Sequence, residues 1–373
     1  MRHPTVKVRH VPWGGVGMTH VLLLGAGKIG GMICHLLHAT GEYTVTVADR
    51  DEASLRQMAH DEASLRPLDV ADPAALHAAM KGHDMVVSAL PYYLNAAVAE
   101  AARDTGTHYF DLTEDVATTR RVRAIAKGAD SAFVPQCGLA PGFVSIAAYD
   151  LAKRFDSLRD VYMRVGALPI YPSNALKYNL TWSTDGLINE YCNPCEAIHE
   201  SHKHEVLPLQ GLETFSLDGI EYEAFNTSGG LGTLCDTLAG RVANLNYKTV
   251  RYPGHRDHVK FLAQDLRLCE RRALFKDVLE HAVPVTKQDV VLVFVTVSGQ
   301  QDGRLTQETF AKKVYNASVG GKLWSAIQIT TAAGVCAMVD LLRAGKLPQR
   351  GFVRQEDADL KDFLANRFGR HYA

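Results

Sequence analysis

A chain of 373 residues that is 47% hydrophobic is long enough to build two domains with separate cores. Its formal charge of −1 and pI near 7.0 give no electrostatic basis for binding nucleic acid or an anionic membrane, and no uninterrupted apolar stretch reaches the roughly eighteen residues of a membrane span. The seven cysteines, an odd number spread from Cys34 to Cys336, suit a reducing cytoplasm better than a disulfide framework.

Residues 1–17 carry histidines, arginines and a Gly14-Gly15 pair but no apolar centre, so they read as a poorly ordered leader rather than a secretory signal. His20 to Leu24 is a short apolar strand that runs into Gly25-Ala26-Gly27-Lys28-Ile29-Gly30, and a helix follows from Met32 to Ala39. Strand, tight glycine turn and helix is the order of a dinucleotide-binding unit. Gly25 permits the turn, Gly27 lets a pyrophosphate approach the backbone, and Gly30 lets helix and strand pack. The helix start, with Lys28 and Ile29, offers unpaired N–H groups to the phosphates. A second strand, Tyr43 to Ala48, ends at Asp49, about twenty residues beyond the glycines, where a carboxylate accepts the ribose hydroxyls of NAD and repels the extra phosphate of NADP. Arg50 beside it is the residue able to hold that phosphate.

The alternation continues. Residues 51–60 read as a helix, Arg66 to Val70 as a third strand, and Pro73 to Met80 as a helix capped by Asp72. Residues 84–91 form a fourth strand buried on both faces. Asp69, Val70, Ala89, Leu90 and Pro91 stand at carboxyl ends of strands, where an open parallel sheet binds its ligand, and are assigned to the cofactor. A helix from Asn95 to Thr105, a strand from His108 to Leu112, a helix from Val116 to Lys127 and a strand from Ala132 to Pro135 complete a doubly wound parallel sheet. Asp111 and Glu114 leave the fifth strand and Cys137 leaves the sixth, so all three face the nicotinamide. The alternative for the two acids is capping of the Val116 helix.

A helix from Val144 to Phe155 carries the chain into strand-rich sequence. Strands are expected at residues 161–167, 221–225 and 249–252, with helices at 187–191 and 255–266. A hairpin pairs residues 290–298 with 305–315 across Gln301-Asp302-Gly303. The fold class is therefore α/β, a Rossmann sheet at residues 18–143 and a second α+β domain on a mixed sheet at 144–321 for substrate and dimerisation. The helix at 323–343 and the tail to residue 373 return to the first domain. Cys192 and Cys195 make one CxxC without the second pair that zinc needs, and His199, His202 and His204 lie in a polar hairpin, so no metal is expected.

Several blocks resemble the saccharopine dehydrogenase and lysine 6-dehydrogenase superfamily: the glycine turn, Cys137 to Gly142, Gly166-Ala167-Leu168-Pro169, Leu176-Lys177-Tyr178, Thr181-Trp182-Ser183 with Gly186 to Tyr191, and Arg251 to His255. The likeness extends from Met18 to the carboxyl terminus, and Glu223 to Thr233 is similar to the bacterial lysine 6-dehydrogenases. Ala167 departs from the glycine found in many relatives. The resemblance implies oxidation of the ε-amine of L-lysine by NAD, with release of ammonia and closure of the aldehyde to a cyclic imine. Glutamate-forming saccharopine dehydrogenase is the alternative, and an NAD-binding sensor without turnover a more distant one.

An amine yields hydride only after its ammonium loses a proton, and Glu114, Asp111 and His255 are the candidate bases. Cys137 either lies near the transfer site or packs as a small thiol beneath it. Arg251 or Arg241 suits the α-carboxylate, Glu190 the far ammonium, and Tyr178, Thr181, Trp182, Asn226 and Thr227 shape the slot. The partners expected are a small amino acid and further copies of the chain, the 290–315 hairpin supplying an edge.

Overall fold

The computed structural model describes residues 17–58 and 63–373. The expected leader up to residue 16 and the last residues of the 51–60 helix lie outside the described residues. Six strands of the first half, β1 (Thr19–Leu24), β2 (Tyr43–Asp49), β3 (Ser64–Pro67), β4 (Met85–Ser88), β5 (His108–Asp111) and β6 (Ala132–Val134), alternate with helices α1 (Lys28–His38), α2 (Glu52–Gln57), α3 (Pro73–Met80), α4 (Asn95–Thr105) and α5 (Val116–Ile125). Helix α6 (Phe143–Ala152) leads into the second half. Every pairing in the first sheet is parallel, which gives the doubly wound arrangement that places ligands beyond the strands' carboxyl ends. β3 overlaps the expected Arg66 to Val70 strand only at Arg66 and Pro67, starting earlier at Ser64 and ending at Pro67. The buried side chains of Leu68 and Val70 belong to the turn after it, where the amide of Leu68 still donates to Asp49 O at 2.9 Å.

The second half supplies β7 (Ser157–Pro169), α7 (Thr184–Cys192), β8 (Cys195–His199), β9 (His202–Val206), β10 (Glu213–Leu217), β11 (Ile220–Asn226), α8 (Leu234–Thr237) and β12 (Val242–Arg251). It continues with α9 (His255–Lys260), α10 (Arg272–Ala282) and the long hairpin β13 (Asp289–Gln301) and β14 (Arg304–Tyr315). These strands form a mixed sheet of order β10-β11-β12-β7-β13-β14, with β8 and β9 attached beside β12. The expected hairpin is longer at both ends, and Gln301 pairs with Arg304, so the turn narrows to Asp302 and Gly303, both at positive φ, as a two-residue hairpin requires.

A small hairpin, β15 (Ala317–Val319) and β16 (Lys322–Trp324), precedes α11 (Ala326–Arg343), and β17 (Gly351–Phe352) and α12 (Leu360–Ala365) follow it. β17 pairs with β6 and becomes the seventh strand of the first sheet, in the order β17-β6-β5-β4-β1-β2-β3. By length and composition α11 is apolar enough to cross a membrane, but 83% of it is buried inside the protein. It lies against α1 and β13, between the two sheets, and its first amides donate to the Asp289 carboxylate at the start of β13. One buried cluster accordingly joins Val21, Leu23 and Met32 of the first sheet's layer to Val291, Val293 and Val295 of the second through Ala333 and Ala337.

The cysteine expectation needs correction. Cys192, at the end of α7, is disulfide-bonded to Cys269 across 77 residues of chain. Its partner is not Cys195, whose buried thiol is pushed up to about 12 by desolvation. No spacing rule links two cysteines so far apart.

Candidate active site

The glycine turn has the properties a phosphate cradle needs. Gly25 sits at φ +106°, and a Cβ there would stand 2.8 Å from Ala89 O. At Gly30 a Cβ would be 1.9 Å from Gly25 O, whereas at Gly27 it would meet nothing within 4 Å. The turn is therefore closed on the protein side and open where a pyrophosphate would lie. Helix α1 starts at Lys28 with no side-chain cap, leaving its amide donors for an anion.

Asp49, at the end of β2, accepts from Ala26 N at 2.7 Å and from Asp51 N at 2.9 Å. It thus braces the glycine turn while remaining part-exposed beside it, and Arg50 is exposed. Asp69 accepts from Ala71 N at 2.9 Å and is exposed, while Val70 packs into the core. Ala89, Leu90 and Pro91 line the cleft beyond the turn.

This cleft opens at the carboxyl ends of β4, β5 and β6 and is roofed by β7, β12 and α7. Helix α7 begins at Ser183, whose hydroxyl accepts from Gly186 N at 3.2 Å. Its period puts Gly186 and Glu190, four residues apart, on the cleft side. A Cβ at Gly186 would be 2.4 Å from Trp182 Cζ3, so glycine there lets the indole lie across the helix start and line the cleft.

Charge in the cleft comes from Glu114, Asp185, Glu190 and Arg251. Glu114 stands part-exposed beyond β5, where desolvation pushes its carboxyl up to about 7 against a 3.4 Å hydrogen bond from Asn189 Nδ2. Desolvation also pushes Glu190 up to about 8, with Arg251 pulling it down and Glu114 pushing it further up. Arg251 is 2% exposed. It donates to Tyr191 Oη at 3.2 Å and Val250 O at 2.9 Å, and its guanidinium carbon lies 4.8 Å from the centroid of the Tyr178 ring. Among the described residues it forms no ion pair with a carboxylate, an expensive state for a buried charge unless a ligand completes it.

The other expected residues fall into groups. His255 is buried behind the cleft, with Nδ1 at 2.7 Å from Leu176 O and Nε2 at 3.0 Å from Tyr191 Oη. The carbonyl can only accept, so the proton sits on Nδ1 and Nε2 receives the tyrosine hydroxyl. Burial first and Arg251 second lower the imidazole to about 3. It props Tyr191, which props Arg251. Asp111 is fully buried, accepting from Tyr109 Oη at 2.6 Å and from the amides of Thr113 and Gln136 at 2.9 Å. It ties the ends of β5 and β6 together and does not line the cleft. Neither Asp111 nor Glu114 caps α5. That cap is Asp115, which accepts from Thr118 N at 2.6 Å.

Cys137 is packed beneath the Gly138 to Pro141 wall. Its thiol donates to Val134 O at 2.9 Å and receives Gln355 Nε2 at 3.3 Å, and burial holds it well above the ordinary thiol value, so it stays protonated. Arg241 is corrected: it is exposed before β12, at the opposite end of that strand from Arg251. Asn226 and Thr227 are buried but do not line the cleft, and the Asn226 amide reaches Leu207 O at 3.5 Å. Tyr178 lies under Arg251, Thr181 is buried nearby, and Trp182 alone of the aromatic and hydroxyl candidates lines the cleft. No group of three or more His, Cys, Asp or Glu residues suited to a metal occurs among the described residues.

Three contributors escaped sequence reasoning: Asn189, which holds Glu114, Tyr191, which holds Arg251, and Asp185. All lie on α7, and the i to i+4 pairing of Gly186 and Glu190 is the signal that marks that helix as the cleft wall.

Two family models match, "Saccharopine dehydrogenase NADP binding domain" over residues 21–134 and "Saccharopine dehydrogenase C-terminal domain" over residues 138–370. Among curated proteins, a saccharopine dehydrogenase [NADP(+), L-glutamate-forming] of Pyricularia oryzae is 24% identical over 76% of this chain and 64% of its own. One of the same name from Schizosaccharomyces pombe is 28% identical over 46% of this chain and 40% of its own. The chain thus spans less than two thirds of the length of these relatives. A solved structure of the L-Glu-forming saccharopine dehydrogenase of Saccharomyces cerevisiae superposes with a TM-score of 0.73 over 93% of this chain and 97% of that one, at 19% identity, so the two share the fold. The first sheet is a nicotinamide-dinucleotide-binding unit, and with both models aligned along nearly all of its described length, the chain belongs to the saccharopine dehydrogenase family.

Proposed function

We propose that this protein oxidises the ε-amine of L-lysine with NAD as acceptor, releasing ammonia and the 6-semialdehyde, which closes to 1-piperideine-6-carboxylate. The observation that carries the reading is the charge inventory of the cleft: with Asp185 engaged by Lys276 at 2.6 Å, one guanidinium, Arg251, and two carboxyl groups, Glu114 and Glu190, remain in the lining. Lysine brings one carboxylate and two amines, which matches that inventory. Saccharopine brings three carboxylates, and two of them would find no cation in the cleft lining.

Arg251, already preoriented by Tyr178 and Tyr191, receives the α-carboxylate. Glu190, close enough to feel both Arg251 and Glu114, receives the α-ammonium. The ε-amine then reaches Glu114 at the tip of β5. A bound nicotinamide ring supplies the hydride acceptor. Glu114, pushed up to about 7 by burial, takes the ammonium proton and passes it to solvent before hydride leaves. It then takes one proton from the water that attacks the iminium carbon and gives it to the nitrogen, which leaves as ammonia while the hydroxyl proton returns to the carboxylate. Trp182 and the Gly138 to Pro141 wall limit solvent at the reacting carbon. Asp49 beside the glycine turn supports NAD over NADP, since its carboxylate repels a 2′-phosphate.

NADH formation with lysine as sole amino acid tests the reading. Turnover with saccharopine and not lysine, yielding glutamate, favours the activity named for the relatives. Turnover with NADP alone removes the cofactor preference. Cofactor binding without turnover on any amino acid favours a sensor. The reading includes self-association along the exposed edge strand β14, which light scattering checks.

A further inference from the structure

We infer that Asn189, fixed by Arg272, is the positioning residue that aims the Glu114 carboxyl into the cleft. This inference rests on the proposed role of Glu114 as the base. Helix α7 presents the Asn189 side chain at the junction of three elements, and the residue is 2% exposed. Its Oδ1 accepts from Arg272 Nη1 at 3.2 Å and from Asn193 Nδ2. Its Nδ2 donates to Glu114 Oε1 at 3.4 Å and to Asp115 Oδ2 at 3.3 Å.

An amide with two donors against its oxygen and two carboxyls against its nitrogen has one orientation. A flipped amide would set oxygen against both acids and NH₂ against the guanidinium. Arg272 also holds Asn193 Oδ1 at 2.5 Å, and Asp115 is anchored as the cap of α5. The amide is thus clamped between the start of α10 and the tip of β5. The Glu114 backbone is packed against Gly229, where a Cβ would stand 2.2 Å from Glu114 O, so the side chain is what remains to be aimed.

The groups around Glu114 are mostly acidic: Asp111 and Asp115 on its own segment, Asp185 and Glu190 on α7, and Tyr92 beyond β4. On β12 stand Tyr247 and the cationic Arg251, while Arg272 acts through the amide. Amide donation favours the ionised carboxylate, so losing it raises the pH at which Glu114 releases its proton.

Infrared titration of the carboxyl band, with Glu114→Gln subtracted, follows that midpoint without any assay. In Asn189→Ala it is expected to rise by about half a unit to one unit, and the acid limb of kcat/KM with lysine is expected to rise with it. Arg272→Ala, at an exposed position that leaves the core intact, is expected to shift the midpoint the same way by less, and it decides the matter if Asn189→Ala does not fold. A midpoint unmoved in both variants overturns the inference. If wild-type protein does not turn over lysine, the functional reading fails while the infrared midpoint still judges Asn189.

Discussion

Arg251 lies over the ring of Tyr178, 4.8 Å from its centroid, a buried cation held by an aromatic face and a tyrosine hydroxyl in place of a counter-ion. Replacement by Lys keeps the charge but loses the planar fork that a carboxylate fits. Arg251→Lys is expected to raise KM for the amino acid, and Arg251→Ala to lower kcat/KM about a hundredfold or more, near 3 kcal/mol. NADH fluorescence titration should show cofactor affinity unchanged in both.

Glu114→Gln removes the base while keeping the hydrogen-bonding shape. A loss in kcat of roughly 10²–10⁴-fold is expected with dinucleotide affinity retained, measured by steady-state kinetics alongside equilibrium binding. Because the wild-type carboxyl ionises near pH 7, activity should fall as pH drops through about 7.

Stability follows from the same burial. A carboxyl whose pKa is raised from about 4.3 in the unfolded chain to about 8 in the native state, as at Glu190, binds its proton more tightly when folded. Its stabilising contribution is complete below about pH 4 and is lost as pH rises through about 8. Glu190→Gln should therefore gain stability over wild type by roughly 1–3 kcal/mol between pH 6 and 9. Urea denaturation across that range checks the sign.

The glycines separate folding from binding. Gly27 has φ −77° and open space around its missing Cβ, so Gly27→Ala should melt like wild type yet bind dinucleotide at least tenfold more weakly, about 1.4 kcal/mol. Gly30→Ala, whose Cβ would collide with Gly25 O, should lower the melting temperature itself. Differential scanning calorimetry with and without NAD distinguishes the two.

The disulfide joins α7 to the turn before α10 and closes a long loop. Cys269→Ser should cost about 2–4 kcal/mol of unfolding free energy, and a reductant should lower the wild-type midpoint while leaving the variant unaffected.

Most of the first sheet was legible because its elements carry their own signals: buried runs in β1 and β4, Asp72 as a cap, and the glycine turn. β3 was misplaced because its residues are half-exposed while the apolar pair after it is buried, reversing the usual cue. β10 went unread because its side chains alternate between exposed and half-buried, with little apolar contrast. Glu114, Glu190 and Arg251, singled out in the sequence by their charge, all line the cleft. His255 looked like a base because a histidine's type is visible in sequence and its burial is not. Asn189 was invisible because an amide has no reactivity of its own and acts only through the groups on either side. Cys192 and Cys269 are brought together by the packing of α7 against α10, which no local pattern encodes.

The seventh strand has a consequence for how the molecule is made. Gly351 and Phe352 pair with β6, and Gln355 holds Pro135 O and the Cys137 sulfur from behind, so the Gly138 to Pro141 side of the cleft is backed by residues that leave the ribosome after the whole mixed sheet. A nascent chain stalled before residue 351 would carry the whole glycine turn and still lack the edge strand of its first sheet. The first sheet is therefore complete only when the chain has doubled back on its own beginning.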